Sequence, residues 1–325
     1  MELMPEFKLH RPETVAEAVK LNGGADTARY LAGGTDMVVN IRRGIETPEM
    51  LIDLTAVKEM TEIREDADGL HIGAAVRLSD LGASDVVQRD YTAIAEAARA
   101  VAGPTHQQYG TVGGNLCLDT RCMYYNQSEW WRSANAYCLK HRGEICHVAP
   151  GGKRCFAAFS GDVAPAALVH GGEIELVGPD GSRRIPLVDL YKNDGMDHLT
   201  LSPGELLVAL HLPKATAGMA SGYVKSRVRG SIDFPLAGAA VALTMKDGKI
   251  EALTIALTAV NPYPQLVKGC EGYIGKAVDG DLLEDIRENV RKQAKPMKTT
   301  TIAPWYRRRV VGALAQRIVA RLAAG

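Results

Sequence analysis

The reading of this chain turns on Thr111-Val112-Gly113-Gly114-Asn115-Leu116-Cys117 and on the cysteines that follow it, Cys122, Cys138, Cys146 and Cys155. Adjacent glycines adopt backbone conformations closed to other residues, so a Gly-Gly turn can bring main-chain N–H groups against a ligand. Five of the chain's six cysteines lie between Cys117 and Cys155. Thiols gathered so locally beside such a turn point to two prosthetic groups held side by side.

Length and charge narrow the setting. At 325 residues the chain has room for two or three domains and a substantial core, so the cysteines are not needed as staples. Lys plus Arg equals Asp plus Glu at 38 each, which leaves no net field to attract nucleic acid or an anionic membrane. Residues Met1 to Glu6 lack the basic start and apolar core of a signal peptide, and no apolar run approaches the roughly 20 residues that span a bilayer. A cytoplasmic protein is expected. In a reducing compartment, clustered cysteines serve as metal ligands or redox groups more often than as disulfides.

Upstream, Glu13 to Val19 has helical spacing and Asn22-Gly23-Gly24 stops it; Ala28 to Leu31 reads as a short strand. That strand runs into a second paired-glycine turn, Ala32-Gly33-Gly34-Thr35-Asp36. Alone it is an ordinary turn signal. Two such turns suit the two phosphates of a dinucleotide, and the absence of a Gly-x-Gly-x-x-Gly strand-to-helix fingerprint disfavours a Rossmann domain. Between the turns, Leu51 to Leu54 reads as a buried strand, and Glu62 to Arg64 with Leu70 to Val76 as a hairpin about Asp68-Gly69. Ser79-Asp80 is expected to cap a helix, and Tyr91 to Val101 has helical alanine spacing. His71 and His106 have no second ligand at metal spacing and read as solvated or core-bonded histidines.

Ala32 to Asp36, Thr111 to Leu116 and Ser160-Gly161-Asp162-Val163-Ala164-Pro165-Ala166-Ala167-Leu168 together resemble the FAD-binding medium subunits of the molybdenum hydroxylases, the family of carbon monoxide dehydrogenase and xanthine dehydrogenase. The resemblance covers essentially the whole chain. It implies an α+β protein: a two-part FAD-binding domain of the vanillyl-alcohol-oxidase (PCMH) type over residues 1–214, then a smaller α+β domain over 215–325 with a three-stranded antiparallel sheet and helices. The implied FAD contacts are Leu31, Ala32, Gly33, Gly34, Thr35, Asp36, Thr111, Gly113, Gly114, Asn115 and Asp162, with both Gly-Gly turns on the pyrophosphate. Lys225 stands where the family often has a lysine reaching the flavin. The chain departs from the family at Gln107-Gln108-Tyr109, where Arg-Asn is common, and in a long insertion at 118–158.

That insertion carries Cys122-x15-Cys138-x7-Cys146-x8-Cys155. Four thiolates satisfy either a [4Fe–4S] cube or a tetrahedral zinc, and the spacing matches neither a compact ferredoxin run nor a paired Cys-x-x-Cys zinc knuckle. A neighbouring flavin would give a redox cluster something to do. The insertion is similar to that of one branch of the family, the flavoprotein (beta) subunits of 4-hydroxybenzoyl-CoA reductases, and this resemblance implies a [4Fe–4S] cluster on the four cysteines. Cys117 and Cys270 read as buried small hydrophobes, with Cys117 the one cysteine that could trade roles with Cys122. The basic residues of the insertion, Lys140 and Arg142 among them, are expected either to be solvated or to steer an acidic donor such as a ferredoxin. Tyr124, Tyr125, Trp130 and Trp131 are expected to pack the insertion down.

Beyond it, Gly172 to Val177 and Arg184 to Leu187 read as a hairpin, Glu205 to Leu210 as a strand, and Lys214 to Gly218 as a domain boundary. Ser221 to Arg229, Leu236 to Met245 and Glu251 to Val260 read as strands, and Asp281 to Gln293 and Pro304 to Leu322 as helices. No nucleophile–base–orienter set is visible, so no catalytic residue is assigned and the chemistry is that of cofactors. The resemblance implies partner subunits carrying a molybdenum cofactor and two [2Fe–2S] clusters in a dimer of heterotrimers. Electrons would enter from ferredoxin for the reductive dehydroxylation of 4-hydroxybenzoyl-CoA to benzoyl-CoA. The alternatives are an oxidative molybdenum hydroxylase subunit with a structural zinc loop, a stand-alone FAD oxidoreductase, and a non-catalytic zinc-loop binding module.

Overall fold

In the computed structural model, residues 4–215 and 218–325 are described. The expected boundary at Lys214 to Gly218 therefore includes two positions, 216 and 217, outside the described residues, as do the first three positions of the N-terminal stretch read for a signal peptide. The chain opens with β1 (Lys8–His10), α1 (Val15–Asn22), β2 (Ala28–Leu31), α2 (Met37–Arg42) and β3 (Met50–Asp53). Thr14 Oγ1 accepts from the backbone N–H of Glu17 at 3.1 Å and Gly23 closes α1 in a left-handed conformation. The three strands form a parallel sheet in the order β1-β3-β2.

The second part of the domain begins with β4 (Ile63–Glu65) and β5 (Gly69–Gly73), whose turn is held by Asp66 Oδ1, an acceptor for the N–H groups of Asp68 and Gly69. Five short helices follow: α3 (Leu78–Ala83), α4 (Asp85–Asp90), α5 (Thr92–Ala100), α6 (Pro104–Tyr109) and α7 (Val112–Leu116). Helix α3 begins before Ser79-Asp80, so neither caps it; the Leu78 N–H donates instead to the Gly110 carbonyl at 2.9 Å. The insertion contains one helix, α8 (Glu129–Ala134). The chain then re-enters the core through α9 (Val163–Val169), β6 (Glu173–Gly178), β7 (Gly181–Pro186) and β8 (Leu206–Pro213). An antiparallel sheet of order β4-β5-β8-β6-β7 results. Every residue of α9 is buried, with α5 and α7 on one side and the sheet of the C-terminal domain on the other.

That last domain comprises β9 (Met219–Ser226), β10 (Ala237–Lys246), β11 (Lys249–Thr258), β12 (Gln265–Leu266), α10 (Gly280–Gln293) and α11 (Pro304–Ala323). Its antiparallel sheet has four strands among the described residues, not three, because the short β12 pairs with β11. Strand β9 also ends at Ser226, three residues short of the expected Arg229. The run Ala237-Gly238-Ala239-Ala240-Val241-Ala242-Leu243 shows why apolar residues are nearly continuous in β10. Ala237, Ala239, Val241 and Leu243 face α10 and α11, while Ala240 and Ala242 join the core of the FAD-type domain. The two domains thus share a packed face, and no helix among the described residues is long and apolar enough to cross a membrane.

The candidate cofactor cleft and cysteine cavity

The first Gly-Gly turn behaves as its sequence predicts. Gly34 adopts φ +71°, and the successive backbone N–H groups of Gly33 to Met37 have no acceptor among the described residues. Unpaired donors in a row at a helix start form a concave site for anionic oxygens. A Cβ on Gly33 would lie 1.8 Å from the carbonyl oxygen of Tyr109, so glycine there lets the turn rest directly on the segment leading to the second turn.

The second turn is built differently. Gly113 and Gly114 lie in α7 with ordinary helical backbone rather than in a positive-φ nest. Thr111 Oγ1 accepts from Gly114 N–H at 3.1 Å, and the Val112 and Gly113 N–H groups donate to Val76 and Ala74 carbonyls. Gly113 is required by packing, since a Cβ would lie 2.8 Å from that of Ala74. The second turn is thus a tightly packed helix start rather than a second positive-φ nest, with both glycines still lining the cleft.

Both turns line a cleft of about 490 Å³, together with Ala32, Asp36, Asn115 and Asp162. Leu31 does not line it; strand alternation turns Tyr30 to the cleft instead, with its hydroxyl donating to the Gly204 carbonyl at 2.7 Å and burial raising its pKa to about 12. Asn115 Oδ1 accepts from Val163 N–H at 2.9 Å, tying α7 to α9. Cys117 is half-buried overall, packs against the main core and also lines the cleft, and burial of its thiol raises the pKa to about 12. The cleft's outer wall was not legible as such: Arg229, Ile232, Asp233 and Phe234 come from the β9–β10 connection. Gly230, Ser231 and Pro235 in that connection were the available signal for a loop.

Asp162 and Lys225 form a buried pair. Lys225 Nζ donates to Asp162 Oδ2 at 3.0 Å and the Tyr223 hydroxyl to Oδ1 at 2.5 Å, with the two charged side chains 3 % and 4 % exposed. Burial raises the pKa of Asp162 and lowers that of Lys225, each opposed by the partner's charge. Lys225 does not itself line the cleft; its ammonium is held at Asp162, which does.

The insertion is an excursion with a closed neck. Arg121 and Ala158 exchange backbone hydrogen bonds of 2.7 and 2.8 Å, close to the expected limits of 118 and 158. The Arg121 guanidinium donates to Asn40 Oδ1 at 3.0 Å and pairs with Asp36, binding the neck to the first Gly-Gly turn. Burial lowers its pKa to about 10. At the far end, buried Arg132 donates to the carbonyls of Gln127 and Arg43 at 2.7 Å and to Glu129. Tyr125 is buried in a small apolar core with Ile45 and Ala157, whereas Trp130 is 78 % exposed and anchors nothing.

Cys122, Cys138, Cys146 and Cys155 are all buried and all line one small cavity inside the insertion. Burial raises the thiol pKa to about 11 at Cys122 and to about 12 at Cys155. Among the described residues no group of three His, Cys, Asp or Glu side chains is already placed to hold a metal ion, so the four cysteines share a cavity without closing on a common point. Zinc draws four sulfurs to about 2.3 Å from a single centre. Each thiolate of an iron–sulfur cube caps a different iron, and four cysteines lining one cavity supply the donor number of either centre.

Lys140 is not the surface charge expected of it. Its side chain is 5 % exposed, lines the cysteine cavity, and donates to Asp119 Oδ1 at 2.6 Å and the Gly195 carbonyl at 2.7 Å. Arg142 does remain exposed. His71 packs edge-on at 4.9 Å against His211, whose Nε2 meets Glu175 at 3.2 Å, and His106 lines the cleft.

Comparison with known proteins agrees with this architecture. Residues 5–215 match the family described as FAD binding domain in molybdopterin dehydrogenase, and residues 222–322 match CO dehydrogenase flavoprotein C-terminal domain. The chain is 35 % identical over 255 residues to the aldehyde oxidoreductase FAD-binding subunit PaoB of Escherichia coli, covering 75 % of this chain and 79 % of that one. It is 28 % identical over 318 residues to the carbon monoxide dehydrogenase medium chain of Afipia carboxidovorans, covering 97 % and 96 %. The reconstituted CO dehydrogenase from Oligotropha carboxidovorans superposes with a TM-score of 0.81 at 27 % identity over 99 % of both chains.

Proposed function

Since the chain belongs to the FAD-binding subunits of the molybdenum hydroxylase family, we propose that it is the electron-transfer subunit of such a complex and carries a [4Fe–4S] cluster beside its flavin. The observation that carries this reading is the convergence of Cys122, Cys138, Cys146 and Cys155 on one buried cavity, in an insertion whose neck is bound to the cleft through Arg121 and Asp36. FAD exchanges electrons singly or in pairs, and a cluster exchanges them singly.

The chain's own residues would hold these groups. The N–H groups of Gly33 to Met37 face the diphosphate; Thr111 and Asn115 fix the opposite wall; Asp162 and Lys225 lock α9 to β9 beneath it. No residue of the cleft is assigned a proton-transfer step. In this reading the partner subunits carry the molybdenum cofactor and two [2Fe–2S] clusters, in a dimer of heterotrimers. The donor is a ferredoxin and the reaction is the reductive dehydroxylation of 4-hydroxybenzoyl-CoA.

Turnover of the anaerobically purified complex tests the direction and substrate. Formation of benzoyl-CoA from 4-hydroxybenzoyl-CoA with reduced ferredoxin, lost on Cys138→Ser, is the expected result. An active complex that only oxidises substrates toward a soluble acceptor, with zinc in place of the extra iron, would favour the oxidative hydroxylase instead.

A further inference from the structure

Lys140 is a buried cation on the wall of the cysteine cavity. Its ammonium has acceptors in Asp119 Oδ1, the Thr120 carbonyl and hydroxyl and the Gly195 carbonyl, and it stands 4.7 Å from the ring centroid of Tyr125. Tyr125 donates its own hydroxyl to Asp119 Oδ2 at 2.9 Å. Lys140 and Tyr125 both line the cysteine cavity, whereas Asp119 lines the cofactor cleft. The cation is more deeply buried than its partner, 5 % against 26 % exposed, so solvent and salt screen it less than they screen Asp119. Burying an ammonium is costly unless it is paired and hydrogen-bonded. Four thiolates around an iron–sulfide core make a net anion that becomes more negative on reduction, and such a centre responds to nearby charge.

We infer that Lys140 is the positioning residue that sets the reduction potential of the centre held by Cys122, Cys138, Cys146 and Cys155, with Asp119 the opposing charge that links it to the cofactor cleft. One-electron reduction adds a negative charge and breaks no bond, so a fixed cation favours the reduced form and a fixed anion disfavours it. The inference rests on the cluster assignment above.

The test is an EPR-monitored redox titration of the anaerobic complex, with the native protein, Lys140→Met, Lys140→Arg and Asp119→Asn. The midpoint of the [4Fe–4S] signal should move to more negative potential in Lys140→Met, stay near the native value in Lys140→Arg and move to more positive potential in Asp119→Asn. Should Lys140→Met fail to assemble the centre, the sign of the shift in Asp119→Asn decides. An intact signal whose midpoint is the same in all assembled variants overturns the role of Lys140 alone. Absence of the signal from the native complex overturns the cluster assignment itself.

Discussion

Gly33 and Tyr109 meet backbone to backbone: a side chain on Gly33 would place its Cβ 1.8 Å from the Tyr109 carbonyl oxygen. This contact joins the nest formed by Gly33 to Met37 to the segment that leads into α7, and so fixes the width of the cleft between them. Gly33→Ala must push the two segments apart. Overpacking of this kind costs about 1–3 kcal/mol. The expected variant purifies with its visible flavin absorbance largely lost and a lowered melting temperature. Gly151→Ala, at a position with nothing within 4 Å, should change neither.

The Asp162–Lys225 pair gives a second expectation. Lys225→Met leaves a carboxylate buried without its cation, which costs about 3–5 kcal/mol, while Asp162→Asn with Lys225→Met removes both charges and should recover most of that loss. Urea unfolding of the two variants and the parent measures the recovery. A double variant no more stable than Lys225→Met would show that the pair is not the energetic unit.

Two buried histidines make stability fall on the acid side. Burial lowers the pKa of both His170 and His198 to about 4. In the unfolded chain each titrates near 6.5, so between these values the unfolded state binds protons that the folded state refuses. The contribution is complete above about pH 6.5 and is lost as pH falls toward about 4, on the order of 3 kcal/mol for each fully buried ring. Thermal melts from about pH 7 to about pH 4.5 should show a steep decline that flattens in His170→Phe. A flat parent profile contradicts the assignment.

Much of this architecture was legible because the sequence states it locally. Apolar runs bounded by Gly and Asp gave most strands, Asn22-Gly23-Gly24 gave the stop of α1, and Gly33-Gly34 gave the nest. What escaped depended on distant partners. Gly113-Gly114 looks like a nest, yet Gly113 serves contact with Ala74, far along the chain. Lys140 reads as part of a basic surface because Asp119, Thr120 and Gly195 meet around it only in three dimensions. Lys225 is a strand lysine whose partner lies 63 residues away. Trp130 is aromatic and looks like an anchor, but α8 is held down by buried Arg132 and leaves Trp130 outside.

Metal loading should depend on pH. Burial raises the thiol pKa to about 11 at Cys122 and about 12 at Cys155, so iron entering the cavity must displace protons near neutrality. Anaerobic reconstitution with ferrous iron and sulfide should proceed further at about pH 8.5 than at about pH 6.5, with proton release. Uptake that ignores pH would mean that the thiols are already ionised.

The central claim is that one chain holds a flavin and, in its insertion, an iron–sulfur cube. Iron, acid-labile sulfide and zinc measured per FAD in the anaerobically purified complex test it most directly. The account predicts four iron and four sulfide beyond those of the two [2Fe–2S] clusters expected on the partner subunits, no stoichiometric zinc, and loss of that excess on Cys138→Ser. One zinc per FAD with no excess iron, or an excess untouched by that substitution, would contradict it.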